Sequence, residues 1–129
     1  MRRRLRKKLH KGEFRELVFE VEFRLKKTLT QEEQLAFMDE CINHGWSNGI
    51  ELGPGGSCDR MGAWVAARGG CRVVKTLIDQ DRTAVIAYLE AHPLVAKPVL
   101  ASPLYDGWYD TTTQDAFWEK CDAVFGGTA

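Results

Sequence analysis

A chain of 129 residues with 44% hydrophobic side chains can bury one modest core and is too apolar to be a disordered polymer. Its 18 Lys+Arg match its 18 Asp+Glu, and no apolar run approaches the roughly 20 residues that span a bilayer. The cysteines (Cys41, Cys58, Cys71, Cys121) form no Cys-x-x-Cys pair, so neither dithiol exchange nor a zinc clamp is expected, and they read as reduced thiols of a cytoplasmic protein.

The neutrality is an average over two opposite pieces. Seven bases (Arg2, Arg3, Arg4, Arg6, Lys7, Lys8 and Lys11) stand in the first eleven positions without an acid among them. Without that block, 18 − 7 = 11 bases face 18 acids, a net charge of −7. A dense basic end on an acidic body points to a polyanionic partner. Arginine forks match phosphate bidentately and stack on bases. Leu5 and Leu9 lie one helical turn apart, so the block can become a basic helix on contact. Two leucines are a thin apolar stripe, which ranks a membrane surface below RNA. No apolar stretch follows the block, so it is not read as a signal peptide.

In "LVFEVEFRLKK", Phe19, Val21, Phe23 and Leu25 alternate with Glu20, Glu22, Arg24 and Lys26, the period of a strand with one buried face. "TLTQEEQLAFMDECINHGW" opens with Thr30 and Glu33 in capping-box spacing. It predicts a helix with Leu35, Met38 and Ile42 as its apolar stripe and Gly45 as its stop. A short strand is expected at Ile50–Leu52, then a Gly/Pro-rich turn.

"AWVAARGGCRVVKTLI" reads as a strand broken at Gly69-Gly70, by a bulge or a hairpin. "DQDRTAVIAYLEAH" predicts a second helix capped by Asp79 or Asp81, with Val85, Ile86 and Leu89 facing the core and His92-Pro93 ending it. "KPVLASPLYDGWYD" predicts a last strand whose Pro98 and Pro103 suit an edge. "TTTQDAFWEKCDAVF" predicts a C-terminal helix with Phe117, Cys121, Val124 and Phe125 on one side.

That order implies an α+β fold: a ferredoxin-like split βαβ sandwich (βαββαβ) with a basic N-terminal tail and an extra C-terminal helix. The expected division is a basic segment over 1–16, one α/β domain over 17–110 and a helical extension over 111–129. Helices cover one sheet face and leave the other open.

Chemistry is thinly signalled. "GPGGSCDRMG" lacks the Gly-Lys-Ser/Thr of a phosphate loop and reads as a turn. His10, His44, His92 and the cysteines show no ligand spacing, so no metal and no cofactor is expected. Cys41 beside His44 reads as a structural thiol, because nothing announces an electropositive cleft. No nucleophile, base and orienting group come together, so the chain is read as a non-enzyme without a small-molecule substrate; an enzyme using Cys41 or the 53–62 loop is the weaker rival. Trp46, Trp64, Trp108 and Tyr109 can stack on bases, yet are expected in the core.

Leu5-Arg6-Lys7-Lys8-Leu9-His10, then Glu13-Phe14 and Glu16-Leu17 leading into the first strand, resemble the start of the bacterial YggL family of 50S ribosome-binding proteins. "AWVAARGG" and "SPLYDGWYD" look like later segments of that family, so the likeness runs from about Arg2 to Asp110. The resemblance implies association with the large ribosomal subunit, with a part in its assembly and no catalysis. Joined to the charge reading, it makes Arg2, Arg3, Arg4, Arg6, Lys7, Lys8, His10 and Lys11 the expected rRNA contacts of a monomeric cytoplasmic protein. The rival reading is a protein-interaction module working through the open sheet face or the C-terminal helix.

Overall fold

Alternation in "LVFEVEFRL" places Phe19, Val21, Phe23 and Leu25 on one face of the central strand, and all four are buried. In the computed structural model, which describes residues 2–5, 16–68 and 77–126, this strand is β1 (Leu17–Leu25). It is followed by α1 (Gln31–Ser47), β2 (Ile50–Gly56), β3 (Arg60–Ala67), α2 (Asp79–Ala91), β4 (Val95–Ala101), the two-residue β5 (Tyr105–Asp106) and α3 (Thr113–Phe125). Strand order is β2-β3-β1-β4, every pairing is antiparallel, and β5 pairs with the start of β1.

The sheet register sets two faces. Phe19 lies opposite Val65, which lies opposite Leu52, so one row of buried residues crosses three strands. Helices α1 and α2 add Phe37, Cys41, Val85 and Leu89 to that core. The next row, Glu20, Trp64 and Gly53, belongs to the opposite face. A one-residue shift in strand phase exchanges the faces.

Helix α1 begins with the expected capping box: Glu33 N–H donates to Thr30 Oγ1 at 3.2 Å and Thr30 N–H to Glu33 Oε1 at 3.1 Å. Its apolar stripe differs from expectation. The buried positions are Phe37, Cys41 and Gly45, while Leu35 and Ile42 face outward. Gly45 is a packing glycine, not a stop: a Cβ there would lie 2.9 Å from Leu52 Cδ1. The helix continues to Ser47, and Gly49 at φ 80 makes the left-handed turn into β2.

Strand β2 runs past Leu52 through Gly53, Pro54, Gly55 and Gly56, and β3 starts at Arg60, so most of the expected turn is strand. The turn itself is Ser57-Cys58-Asp59, closed by Ser57 N–H donating to Arg60 O at 2.9 Å. Gly56 is required there, at φ 125 and with a would-be Cβ 2.6 Å from Arg60 O. Gly69-Gly70, the expected break, lies outside the described residues.

Helix α2 carries Asp81, whose Oδ2 accepts the Ile78 N–H at 2.9 Å. Among the described strands β4 is at an edge, as Pro98 suggests. Ser102 then ties the chain back to β1, its N–H donating to Glu20 O and its Oγ accepting from Glu20 N–H.

The second sheet face is covered over β1 and β4 and stays open over β2 and β3. Phe117, Cys121 and Phe125 of α3 pack with Leu100 of β4. Gln114 Nε2 donates to Glu20 Oε1 at 2.8 Å, and Arg24 donates to the Phe125 carbonyl. Arg60 spans Glu22 and Asp122, each at 2.8 Å. Val124, expected on the packed side, faces solvent. Apolar burial by three side chains is what brings the helix down, because a sheet face carrying Leu100 gains by covering it.

Candidate nucleic-acid interface

Electrostatics and stacking are the forces by which a basic, aromatic surface holds RNA. Residues 3–5 are helical, and Arg2, Arg3, Arg4 and Leu5 are all exposed. Arg6, Lys7, Lys8, His10 and Lys11, the remaining expected contacts, lie outside the described residues.

The tryptophans overturn the core expectation. Trp46, Trp64, Trp108 and Tyr109 are between 41% and 56% exposed, and Trp118 is 47% exposed. Phenylalanines and aliphatic side chains fill the core rows, and these rings fall on outward phases. Trp46 is on the outer side of α1 with Arg68 stacked 5.1 Å from its ring centre. Trp64 is on the second sheet face beside Glu20.

Trp108 and Tyr109 sit in the turn after β5, and that turn is built beside the root of the N-terminal segment. Asp106 Oδ1 accepts both their backbone N–H groups, at 2.9 and 3.2 Å. Trp108 Nε1 donates to Glu16 Oε2 at 2.9 Å, and Gly107 N–H donates to Glu16 O at 2.9 Å. Glu16 immediately precedes β1. Two half-exposed rings are therefore fixed where the basic segment joins the body. Neither ring was predicted to be surface; the signal available in the sequence was their position in a turn, "YDGWYD", beside Asp and Gly.

The thiol chemistry weighed for Cys41 finds the wrong surroundings. Cys41 is buried against the core, and burial pushes its thiol up to about 12. His44 is stacked face to face on Tyr88, 3.7 Å between ring centres. A thiol so raised holds its proton at neutral pH. Among the described residues, no group of His, Cys, Asp and Glu is arranged to hold a metal ion, and no helix is long and apolar enough to cross a membrane.

Glu20 is the unusual titrating group. It is only 8% exposed, its Oε1 takes the Gln114 bond, and its buried Oε2 has no hydrogen-bond partner. Burial raises its carboxyl above the ordinary value, more than the bonds from Gln114 and Tyr105 lower it, and the nearby Glu22 charge adds to the rise. A raised folded value means that Glu20 favours the fold at low pH and that this contribution is lost as pH rises through the folded value. Glu20→Gln is accordingly expected to raise the melting temperature by roughly 2–5 °C at pH 8, the effect of about 1 kcal/mol on a chain of this size. The gain should vanish below about pH 4, where the carboxyl is protonated folded or unfolded. Melting curves at the two pH values check this, and an equal shift at both would refute the ionisation argument.

A family model described as YggL 50S ribosome-binding protein matches residues 3–109. No curated protein matches the chain. The matched span contains six of the seven bases of the N-terminal block, the described strands and the Trp108–Tyr109 turn, and it ends before α3.

Proposed function

The chain belongs to the YggL 50S ribosome-binding protein family, and on that premise we propose that it is a non-enzymatic accessory protein of the large ribosomal subunit, held on rRNA by its basic N-terminal segment and acting during subunit assembly. The observation that carries the reading is the pairing of an arginine-rich end with two half-exposed rings at its root. Phosphates take the charge and unpaired bases take the rings, whereas the body, at −7 without the block, repels RNA elsewhere. We divide the chain into the docking segment 1–16, the domain 17–110 and the extension 111–129. The strand order supports a ferredoxin-like sandwich for the domain, since a split βαβ places β1 beside both β3 and β4. A monomer in the cytoplasm, where ribosomes are, completes the reading.

The test is sedimentation of cell lysate through sucrose gradients at several salt concentrations. Co-migration with 50S particles, and not with 30S or the top fractions, is expected at low salt. Affinity should fall with a log–log slope of roughly −0.7 to −0.9 per phosphate contacted. Association that is indifferent to salt would transfer the interaction to protein contacts.

A further inference from the structure

A second surface lies on the far side of the sheet from the helical layer formed by α1 and α2. Helix α3 covers β1 and β4 but leaves a groove of about 540 Å³ over β2 and β3. Trp118 of α3 and Trp64 of β3 line it, both half-exposed. Its floor holds Gly53, Gly55 and Gly62. Gly62 is a packing glycine, with a would-be Cβ 2.9 Å from Val21 O. Gly53 and Gly55 have no such need. A Cβ at Gly55 would meet nothing within 4 Å, one at Gly53 only Trp64 O at 3.7 Å, and neither residue has a positive φ. A side chain at either position would enter the groove without a clash.

Its charge is one-sided. Among the described residues, Glu20, Glu22 and Asp122 line it against one base, Arg60, which both Glu22 and Asp122 hold. Such a lining repels phosphate and suits a guanidinium or ammonium group, and indole faces suit the same cations. Trp118 and Asp122 also lie beyond the family match, which ends at residue 109. The groove is thus partly the work of the extension and is independent of the ribosome reading.

We propose that this groove docks an extended arginine-bearing segment of a basic partner protein, a guanidinium entering between Trp64 and Trp118 and sharing the carboxylates of Glu22 and Asp122 with Arg60, which engages one oxygen of each (Glu22 Oε2 and Asp122 Oδ1). Glycines at 53 and 55 let the partner's backbone lie against β2, and the depth they create admits the side chain. The buried Glu20, whose Oε2 has no hydrogen-bond partner, lies among the lining residues.

The probe is an acetylated, amidated peptide of alternating Gly and Arg, titrated into the isotopically labelled full-length protein while the indole N–H resonances are followed. Trp64 and Trp118 signals, assigned with W64F and W118F, should shift saturably, and a citrulline version of the peptide should bind at least tenfold more weakly. Gly55→Val fills the floor in a strand conformation that valine favours; it should lose at least tenfold in peptide affinity while melting no lower than wild type and sedimenting with 50S unchanged. Trp118→Ala, on the outer side of α3, should lose a similar factor. Each of four results would overturn the proposal: no saturable shift, undiminished binding in a natively melting Gly55→Val, the same signals moving with an oligouridine instead, or their moving only on dilution (a second copy) or on deletion of residues 2–11 (the chain's own tail). Loss of 50S binding in the six-site Gln variant argued below, with peptide binding intact, would separate this site from the ribosome contact.

Discussion

Replacing Arg2, Arg3, Arg4, Arg6, Lys7 and Lys8 with Gln is expected to weaken 50S binding by about a thousandfold or more near physiological salt and to leave the melting temperature nearly unchanged. Six of the seven bases of the block are removed, and their counterion-release contribution goes with them; six phosphate contacts account for a factor of that order between low and moderate salt. The fold should not register the change, because Arg2, Arg3 and Arg4 are exposed and the buried row of β1 begins only at Val18. Leu5 and Leu9 are kept so that any apolar ordering of the segment survives. Trp108→Ala provides the complementary measurement, since a stacked base contributes about 1–3 kcal/mol and the loss should be far less salt-dependent. Pull-down of 50S subunits with thermal melting of each variant decides. A Gln variant that melts normally and still binds 50S as wild type does would remove the basic block from the docking role.

What was legible in the sequence is what local physics determines. The alternation from Phe19 to Leu25 fixes a strand whatever packs on it, and a Thr30–Glu33 pair satisfies helix N–H groups without tertiary help. Pro98 removes a ladder donor and so announces an edge. The arginine-rich end and the likeness to the family were equally visible, because charge and residue order need no fold.

What was hidden depends on distant partners. Of the expected stripe Leu35, Met38 and Ile42, Met38 does pack against the core, but the buried positions are Phe37, Cys41 and Gly45, the last two small residues that let the helix approach Leu52. Large aromatics are core residues on average; here Trp64 falls on the opposite sheet phase from Val65, and Trp108 is turned out by the bonds of its turn. Glu20, Glu22 and Arg60 look like solvated charges until α3 brings Gln114 and Asp122 onto them, more than sixty residues further along the chain. The groove required all of these placements together, so no single stretch of sequence announced it.

The phase of α1 is itself a prediction about stability. Phe37 is 2% exposed and meets Phe23 edge-on, 6.0 Å between ring centres, and His92 at 4.8 Å. Truncation to alanine removes both contacts and leaves a cavity between the helix layer and β1, because neighbours in a close-packed core relax only partly. Phe37→Ala is expected to destabilise by about 3–5 kcal/mol, lowering the melting temperature by roughly 10–20 °C for a chain of this length. Leu35 is two residues away on the same helix and is 56% exposed. Leu35→Ala should cost no more than about 0.5 kcal/mol, since alanine is the better helix former and little buried area is lost. Denaturant titration of the two single variants measures the contrast directly. With the opposite phase, in which Leu35, Met38 and Ile42 face the core, the order of the two effects reverses; equal losses would mean that α1 does not sit on the sheet through Phe37. Below its lowered melting point, Phe37→Ala should still bind 50S as wild type does, because the Trp108–Tyr109 turn is tied to Glu16, Asp106 and β1.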